Sequence, residues 1–488
     1  MPMKKALLYF SLLILVLPMK AQDFEDYKNK RKEEMKRYTD SMKQNYDEFR
    51  RKANEEYAQY MREKWEAFQV MKGDEHPIIP EPPKPYEVDK DTPFPNLPNP
   101  IQVKPIQTPD PIPIQPIKRP NTPQPSPEPS VPDFEFSCYG TSCIVSLDKS
   151  LKFKLKDVSE TACADAWQTL SSAKSNALLD DCINLREELA LGDWAYYCLL
   201  RDLSEEFLGK GTEEATLMQA YLMAQSGYKI RLGKRNEHLV FLMPFDGVIY
   251  GKCFAKIGGE KFYFMGANER GGVLVFNRAF SDREQVMSLR MQCPPKFDYR
   301  PTERRQYKSV RYPEMAVSLS ANKNLMDFYS GYPSCVWTNY SWAGLSEEMK
   351  TQLYPVLRKS IAGKSQIEAA NRIINFVQTA FSYQTDQEQF GYERSLFGDE
   401  TFFYPHSDCE DRSILFSILI HDLLGLNVVL ISYPGHIATA VHYTEELKGC
   451  YFEFEGKTYY ISDPTYIGAN VGKCASRFIN QSPEVYKL

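Results

Sequence analysis

The pattern of apolar and polar positions near the N-terminus repeats every eleven residues. Large apolar side chains recur at this interval in two series, on a background of Lys, Arg and Glu: Phe24, Met35, Tyr46, Tyr57 and Phe68 in one, and Tyr27, Tyr38, Phe49, Tyr60 and Met71 in the other. Eleven residues make three helical turns, so both series fall on one stripe of an α-helix. The pattern predicts a long amphipathic, coiled-coil-like helix over residues 22–73. Because a helix cannot bury such a stripe by itself, residues 23–71 are expected to bind a second copy of the chain, giving a homo-oligomer, or a surface partner. A charged helix that stays solvated is the alternative.

The composition changes abruptly after this helix. Twenty of the 33 prolines of the chain lie between Pro77 and Pro132. Repeated Pro-x-Pro units favour polyproline II and do not support a packed core. Residues 74–133 are therefore expected to form a proline-rich linker, a semi-rigid spacer that holds the helix away from the globular part.

The first residues have the pattern of a secretory signal peptide. Lys4 and Lys5 precede an apolar stretch, residues 6–17, that is too short to span a bilayer comfortably. We expect residues 1–21 to be removed and the mature protein to be exported, as a periplasmic, cell-surface or secreted protein. No later segment of the sequence is long and apolar enough to cross a membrane, so the mature chain is expected to have no integral membrane segment.

Charge and cysteine content narrow the possible functions. The net charge of −5 does not indicate a nucleic-acid-binding protein. The eleven cysteines fit an oxidising compartment, as five bridges and one remaining thiol, and Cys138 with Cys143 is the most credible local bridge. Since the sequence contains no Cys-x-x-Cys pair, it gives no support for a zinc ribbon or a thioredoxin-like site. No metal and no cofactor are expected.

Three residues with side chains suited to catalysis fall at the ends of elements predicted in the last third of the chain. Cys409 precedes an apolar helical run, residues 413–424, and a thiol at a first helical turn lies near the positive end of the helix dipole, which favours the thiolate. His436 begins a strand pattern, and Asp463 ends the strand pattern of residues 459–462. A cysteine on a helix, a histidine on a strand and an aspartate at a strand end, in this order, are the parts of a Cys-His-Asp nucleophilic triad.

These residues resemble the transglutaminase-like superfamily, a branch of the papain-like cysteine enzymes, in its exported bacterial type. The resemblance is carried by Asp408-Cys409-Glu410-Asp411, by His436 and by Asp463-Pro464-Thr465, and it covers roughly residues 346–474. The chain departs from the family in two places. Ser407 stands where members often have the Gly of Gly-Asp-Cys, and Ile437-Ala438 follows the histidine where members often have Ala-Trp.

The resemblance implies an α+β fold with a papain-like catalytic domain over residues 346–488. In this domain Cys409 is expected to attack an amide carbonyl, His436 to exchange the proton and Asp463 to orient the imidazole. The expected function is an exported cysteine acyl-transfer enzyme that acts on amide bonds of a protein or peptide substrate, as a peptidase, amidase or transamidase. The alternative is a non-catalytic protein that binds peptide or cell-wall material, or organises an assembly, on papain-like folds.

Several other residues near the proposed triad are expected to have supporting roles or none. The backbone N–H of Cys409 is expected to donate to the oxyanion, with a second donor among three residues that the sequence does not separate: Tyr383, Gln387 and Gln389. Glu410 and Asp411 suit the helix dipole, and Asp411 either pairs with Arg412 or lines the cleft. Three histidines are expected to be surface or packing residues: His406, His421 and His442.

The region before the catalytic domain repeats its landmarks. Gly227 and His238 lie eleven residues apart, as do Gly425 and His436. Each residue of the second pair lies 198 positions after its counterpart in the first. Residues 134–300 are therefore expected to form a degenerate transglutaminase-like domain. Its counterpart of Cys409 is Gly211, and its counterpart of Asp463 is Met265 or Gly266. A chance likeness between two helix–turn–strand units is the alternative, in which His238 is an ordinary strand residue. Residues 301–345 are expected to form an aromatic connector that packs across the domain boundary.

Overall fold

The computed structural model describes residues 21–77, 82, 84–88, 100–106, 133–172, 174–265 and 271–488. The expected signal peptide lies outside these residues except for Ala21, and so do most of the proline-rich stretch and Gly266. Within the described ranges the chain is a mixed α+β protein.

Twelve α-helices are present in the described parts of the chain: α1 Ala21–Met61, α2 Glu160–Leu170, α3 Ser175–Glu188, α4 Asp193–Leu208, α5 Glu213–Gln225, α6 Lys323–Ser330, α7 Trp337–Ala343, α8 Glu347–Ile361, α9 Gln366–Thr379, α10 Asp386–Gln389, α11 Gly398–Phe403 and α12 Cys409–Leu424. Short 3-10 helices span Lys149–Leu151 and Ser476–Phe478. The strands are β1 Glu66–Met71, β2 Tyr86–Glu87, β3 Lys104–Ile106, β4 Asp133–Cys138, β5 Thr141–Ser146, β6 Arg231–Arg235, β7 His238–Met243, β8 Phe254–Ile257, β9 Glu260–Phe264, β10 Gly271–Phe276, β11 Arg305–Lys308, β12 Ala316–Leu319, β13 Ser382–Tyr383, β14 His406–Ser407, β15 Asn427–Tyr433, β16 His436–His442, β17 Tyr451–Phe454, β18 Lys457–Ser462, β19 Tyr466–Ile467 and β20 Glu484–Lys487.

The chain divides into two compact units. The first comprises residues 1–53 and 118–130, and its described part is the helical stretch from residue 21 to residue 53. Within this stretch Met35 and Phe49, one from each eleven-residue series, are 58% and 69% exposed. The second unit comprises residues 54–117 and 131–488.

The long helix is shorter than the sequence pattern predicts. It ends at Met61 rather than at residue 73, and β1 follows it. Tyr57 and Met61 are buried, and the Tyr57 ring lies 4.9 Å from that of Trp167 and 5.0 Å from that of Phe276. The last turns of the helix thus belong to the core of the second unit. The prediction of one helix over residues 22–73 is wrong at this end, because burial in a shared core outweighs local helical periodicity.

β1 completes a closed barrel in the first half of the second unit. The strands follow the order β1-β10-β6-β7-β9-β8, all neighbours are antiparallel, and β1 pairs with both β10 and β8. Helices α2 and α5 pack together beside it, with Trp167 and Tyr221 fully buried between them. A strand that pairs on both sides leaves no open sheet edge, which explains why residues 66–71 are extended.

An open sheet forms the second half, in the order β17-β18-β16-β15-β20-β3. Helix α12 packs against β15 and β16, and every residue from Cys409 to Ile420 is buried. Gly425, with φ +66°, ends the helix in the left-handed conformation that glycine adopts without strain. This places the buried N-terminus of the helix beside the sheet that carries His436.

The two halves share one strand order. In each, a helix (α5 or α12) is followed by five strands of one sheet that lie in the order last, first, second, fourth, third, with β19 outside the sheet in the second half. The first hairpins have the same register, since the closing pairs are Arg235 with His238 and Tyr433 with His436. The halves differ in that β1 closes the first sheet, whereas β3 extends the second. The common order supports the prediction that the middle region is a second copy of the same fold.

The proline-rich stretch contributes two strands to the globular part. β2 pairs in parallel with β19, and β3 pairs in parallel with β20. Pro105 lies within β3, at the edge of the sheet, where a strand tolerates a residue without an N–H. The expectation that residues 74–133 act only as a spacer is therefore wrong for β2 and β3.

Aromatic residues of the connector lie between the two halves. Tyr329 stacks on Phe397 with ring centroids 4.1 Å apart, and Tyr332 contacts both Trp194 and Phe397. These contacts join α6 and the chain after it to elements on either side of the connector, as the aromatic composition indicated.

No disulfide bond joins the eleven cysteines, all of which lie in the described part of the chain. The expected bridge between Cys138 and Cys143 is absent because the two residues are diagonal neighbours in the β4–β5 hairpin. Diagonal positions lie about 7–8 Å apart, which is beyond the reach of a disulfide. Cys143 instead donates to the Thr141 carbonyl at 3.8 Å.

Gly73 tests whether the segment after β1 is anchored to the barrel. A Cβ atom at this position would lie 2.1 Å from the Lys252 carbonyl oxygen. We expect Gly73→Ala to lower the free energy of unfolding by about 2–3 kcal/mol, because the backbone of Lys252 must move. Gly247→Ala is the matched control: its Cβ meets nothing within 4 Å. Chemical denaturation measures both, and an unchanged stability of Gly73→Ala would contradict the close approach.

Candidate functional site

Cys409 begins α12 and is completely buried. Its thiol donates to Oε2 of Glu410 at 3.4 Å. Just before it, β14 pairs in parallel with β13, which places Tyr383 opposite Ser407. The N-terminus of α12 therefore holds the sulfur in the positive field of the helix dipole and beside a carboxyl group. The sequence did not indicate the contact with Glu410.

Arg412 fixes the first turn of α12. Its buried guanidinium donates to Oγ of Ser407 at 3.2 Å, to the Gln378 carbonyl at 3.2 Å and to the Phe381 carbonyl at 3.0 Å. Loss of hydration lowers the pKa of Arg412 to about 10. Asp411 does not pair with it: the Asp411 carboxylate accepts from the backbone N–H of Leu396 and of Asp408. The suggested Asp411–Arg412 pair is thus wrong, because other groups bind both side chains: backbone N–H groups bind Asp411, and two backbone carbonyls and the Ser407 hydroxyl bind Arg412.

His436 lies at the start of β16 and is fully buried. Its Nε2 lies 2.8 Å from Oδ2 of Asp463, a residue that follows the end of β18. The other oxygen of Asp463 accepts from the N–H of Thr465 at 2.8 Å and of Tyr466 at 3.2 Å. The Asp463 carboxylate accepts a hydrogen bond from Nε2–H, so in this tautomer Nδ1 of the imidazole is an acceptor. This Nδ1 atom is buried and has no hydrogen-bond partner among the described residues.

Aromatic packing fixes the plane of the imidazole. Phe478 stacks on His436 with ring centroids 5.0 Å apart and an angle of 4° between the planes. Tyr433 stacks on the same Phe478 at 4.5 Å. The histidine ring is therefore held by a hydrogen bond at one edge and by a flat apolar contact on one face.

The loop that carries Asp463 depends on Gln378 of α9. The Gln378 amide nitrogen lies within hydrogen-bond distance of three backbone carbonyls: those of Asp463, Tyr466 and Ala469. The amide oxygen accepts from the Gly468 N–H at 3.1 Å. A single buried side chain thus holds the turn after β18, and no feature of the sequence pattern distinguished this glutamine in advance.

Cys409 and His436 lie on elements that pack directly against each other. One turn into α12, the Ser413 hydroxyl donates to the carbonyl of Ile437, the residue after the histidine, at 3.3 Å. Tyr86 of β2 also links them, because its ring contacts that of His436 and its hydroxyl lies near enough to Asp463 and Cys409 for their ionised forms to raise the pKa of Tyr86. The predicted residues therefore share one neighbourhood at the junction of α12, β16 and β18.

A cluster of buried carboxyl groups surrounds the start of α12. Burial raises the pKa of Asp386 to about 8, with a further contribution from Asp411, and it raises those of Glu393 to about 7 and Asp411 to about 6. Burial and the negative charges of its neighbours raise the pKa of Asp408 well above its usual range. Oxygen atoms of Asp386, Asp408 and Glu410 lie within 4.8 Å of one another. Among the described residues this is the group whose spacing suits a hard cation, and the raised pKa values correspond to carboxyls that share protons.

The proposed oxyanion donors and the other histidines of this region differ in exposure and in their hydrogen bonds. Gln387 is exposed on α10, and Gln389 donates to the His406 carbonyl at 3.4 Å. Tyr383 and Gln389 thus both lie beside β14, which directly precedes α12, since Tyr383 is opposite Ser407 in the β13–β14 pair. His421 is exposed, whereas His442 is half-buried and its Nδ1 lies 2.9 Å from the Thr458 carbonyl.

The positions in the middle region that correspond to the triad are chemically different. His238 begins β7 but is exposed, and its Nδ1 lies 2.7 Å from Oε1 of Glu213, which raises its pKa. Gly211 precedes α5 where Cys409 begins α12. Met265 follows β9 and has no carboxylate, and Gly266 lies outside the described residues.

The carboxyl cluster predicts an unusual dependence of stability on pH. These groups bind protons in the folded chain at pH values where the unfolded chain has released them. Their contribution is therefore complete below about pH 4, where unfolded carboxyls are also protonated, and is lost as the pH rises through the folded values of about 6 to about 8. We expect the melting temperature to fall between pH 5 and pH 8, and Asp386→Asn to reduce this decrease.

Exposed Asp282 provides the control for this measurement, since Asp282→Asn is the same substitution at a position outside the cluster. The scans are run with EDTA, so that no divalent cation neutralises the carboxylates. A melting temperature that rises between pH 5 and pH 8 in both the parent and Asp386→Asn would contradict the raised pKa values.

Comparisons with known proteins were made at three levels. No family model, no curated protein and no solved structure matches this chain. Within the described residues, no helix is both long enough and apolar enough to cross a membrane. Functional inference for this chain therefore depends on its own residues and their geometry.

Proposed function

We propose that the protein is an exported, transglutaminase-like cysteine enzyme that transfers acyl groups from amide bonds of a protein or peptide. Cys409 is the nucleophile, His436 the proton acceptor and donor, and Asp463 the residue that orients the imidazole. The observation that carries the proposal is the buried His436–Asp463 hydrogen bond of 2.8 Å, which leaves Nδ1 of the histidine as an acceptor beside the helix that begins at Cys409. The order of helix, strand and strand end is that of the transglutaminase-like superfamily, to which the sequence motifs are similar.

The first step forms a thioester. Nδ1 of His436 accepts the thiol proton as the sulfur of Cys409 attacks the amide carbonyl carbon. The C–N bond of the tetrahedral intermediate then breaks, and the imidazolium returns the proton to the leaving nitrogen, which departs as ammonia or an amine. Asp463 stabilises the imidazolium meanwhile through its bond to Nε2.

The second step regenerates the thiol. Water or an amine gives a proton to Nδ1 of His436 and attacks the thioester carbonyl. The C–S bond breaks, and the proton returns to the sulfur of Cys409. Hydrolysis and transamidation differ only in this acceptor. The backbone N–H of Cys409 is suited to stabilise the oxyanion in both steps, because it lies at the start of α12.

The protonation state of Glu410 affects whether Cys409 forms a thiolate. In the resting structure the thiol donates to Glu410 instead of to the imidazole. A negative carboxylate at 3.4 Å opposes a thiolate, whereas a protonated carboxyl group donates to it. We infer that Glu410 holds the thiol until the side chain of Cys409 rotates toward Nδ1 of His436.

Alkylation with iodoacetamide tests the nucleophile. Cys293 is exposed and would also react, so the chain carries Cys293→Ser throughout. We expect Cys409 to be alkylated at near-neutral pH, with a rate that falls at least tenfold in His436→Ala because the thiol loses its base. Mass spectrometry of the Cys409 peptide measures the rate.

The control is His442→Ala, which removes a histidine bound to a backbone carbonyl elsewhere on β16. Equal rates in the parent, His436→Ala and His442→Ala would contradict the role of His436. If, in addition, no amide substrate is turned over, the fold is better explained as a peptide- or cell-wall-binding protein without catalysis.

We propose further that the helical stretch of residues 21–53 associates with a second copy of itself. Its exposed Met35 and Phe49 belong to the eleven-residue stripe, and burying such side chains contributes about 1.5–3 kcal/mol each. We expect a chain that begins at residue 22 to be oligomeric by light scattering and a chain that begins at Asn54 to be monomeric.

Substitutions on the apolar stripe and away from it show whether apolar packing or charge causes the association. Met35→Ser with Phe49→Ser is expected to dissociate the oligomer, whereas Arg37→Ser, which alters an exposed residue off the stripe, is expected to preserve it. If both chain lengths are monomeric at micromolar concentration, self-association is wrong.

A further inference from the structure

A segment of the proline-rich stretch lies across the candidate site. Residues 84–88 run beside β19, where Tyr86 pairs in parallel with Tyr466 and Glu87 with Ile467. The Val88 N–H donates to the Ile467 carbonyl at 2.9 Å. Because β19 follows the turn that holds Asp463, this pairing brings the segment to the site itself.

The side chain of Tyr86 inserts between groups of the site. Its ring meets that of His436 edge-on at 5.8 Å and that of Phe478 at 6.2 Å. The guanidinium of Arg477 lies over the Tyr86 ring, 4.1 Å from its centroid. Burial raises the pKa of Tyr86, the positive charge of Arg477 opposes this shift, and the negative charge of Asp463 adds to it.

These contacts are made mainly with the aromatic ring of Tyr86, not with its hydroxyl group. An arginine above a ring and a second ring against its edge form an environment that suits phenylalanine or tyrosine. The buried Tyr86 hydroxyl forms no hydrogen bond of good geometry, and the nearby Arg477 guanidinium acts on it mainly through its positive charge. The neighbouring backbone bonds require only an extended chain, so β19 accepts peptides by strand addition.

We propose that β19, Arg477 and Phe478 form a binding site for an extended peptide with an aromatic side chain, and that residues 84–88 occupy this site and shield Cys409 and His436. The binding site stands by itself, whereas its shielding role rests on the proposed function. A peptide substrate enters by displacing Tyr86 and places its own aromatic residue beside His436.

Residues 84–88 occupy the binding site to a high degree even if each of their contacts is weak, because they belong to the same chain. A tethered segment has an effective concentration of about millimolar, so a free peptide must exceed that level to compete. Removal of the Tyr86 ring, or of the strand pairing, weakens the tethered segment and leaves the site for a peptide added in solution.

Binding of a free peptide tests the site without any catalysis. The probe is a fluorescein-labelled peptide with the sequence of residues 82–90, and the protein is the chain from residue 22 with Cys293→Ser. By fluorescence anisotropy we expect the Tyr86→Ala chain to bind this peptide at least tenfold more tightly than the parent does. The Tyr86→Phe chain is the matched control, and it should behave like the parent because it keeps the ring.

A second variant guards against an effect of Tyr86→Ala on folding. Val88→Pro removes the N–H that bonds to Ile467 but leaves Tyr86 in place, and it should also admit the free peptide. Far-UV circular dichroism checks that each variant is folded. If neither variant binds the peptide up to about 1 mM, or if the peptide with alanine at position 86 binds equally well, the binding site is wrong.

Alkylation of Cys409 tests the shielding separately. We expect iodoacetamide to react at least fivefold faster in Tyr86→Ala and Val88→Pro than in the parent and in Tyr86→Phe. Equal rates in all four chains would overturn the shielding even if the peptide binds. A failure of the proposed function has a different signature: alkylation becomes independent of His436, while the peptide still binds to Tyr86→Ala.

Discussion

Charge buried in the first turn of α12 is the constraint on which the candidate site depends. Asp408, Glu410 and Asp411 are inaccessible to solvent there, together with Arg412. Charges in such surroundings are tolerated only if they are hydrogen-bonded, paired or neutralised by protons. Arg412 meets this condition with two backbone carbonyls and a hydroxyl, and Asp411 meets it with two backbone N–H groups. The hydrogen bonds that satisfy these charges also fix the position of Cys409.

The duplicated strand order indicates how such a site becomes possible. In the middle region the same helix-and-strand arrangement carries Gly211 and an exposed His238, and it closes into a barrel through β1. In the last region the sheet stays open, and β2 lies beside the turn after β18. An edge that remains open accepts a further strand, whereas a closed barrel does not. β2 is added to β19, in a two-stranded sheet that is separate from the open sheet. Under the proposed function this added strand lies where a peptide substrate would bind.

Local sequence patterns predicted part of this arrangement. The start of α12 at Cys409, the strand that begins at His436 and the aspartate after β18 are each marked by a nearby change of apolar periodicity. The end of α1 and the strand β1 were not predicted, because the eleven-residue series continues past Met61 while the chain leaves the helix. Gln378 and the pairing of β2 with β19 were also missed. Both depend on partners about 90 or more residues away in sequence, and no local pattern encodes such contacts.

The environment of His436 links the resting state to the proposed chemistry. Asp463 binds one edge of the imidazole, Phe478 covers a face, and Tyr86 meets the ring from the side of the proline-rich segment. Electrostatic interactions gain strength where water is excluded, so the His436–Asp463 pair is most effective while this cover is complete. Displacement of Tyr86 exposes the imidazole to water unless the incoming group replaces the lost ring. Under the proposed function, an aromatic peptide that displaces Tyr86 supplies the replacement ring, so water is excluded both in the resting state and in the substrate complex. In the proposed mechanism, the contact between Tyr86 and His436 that shields the resting site therefore also favours peptides with an aromatic side chain.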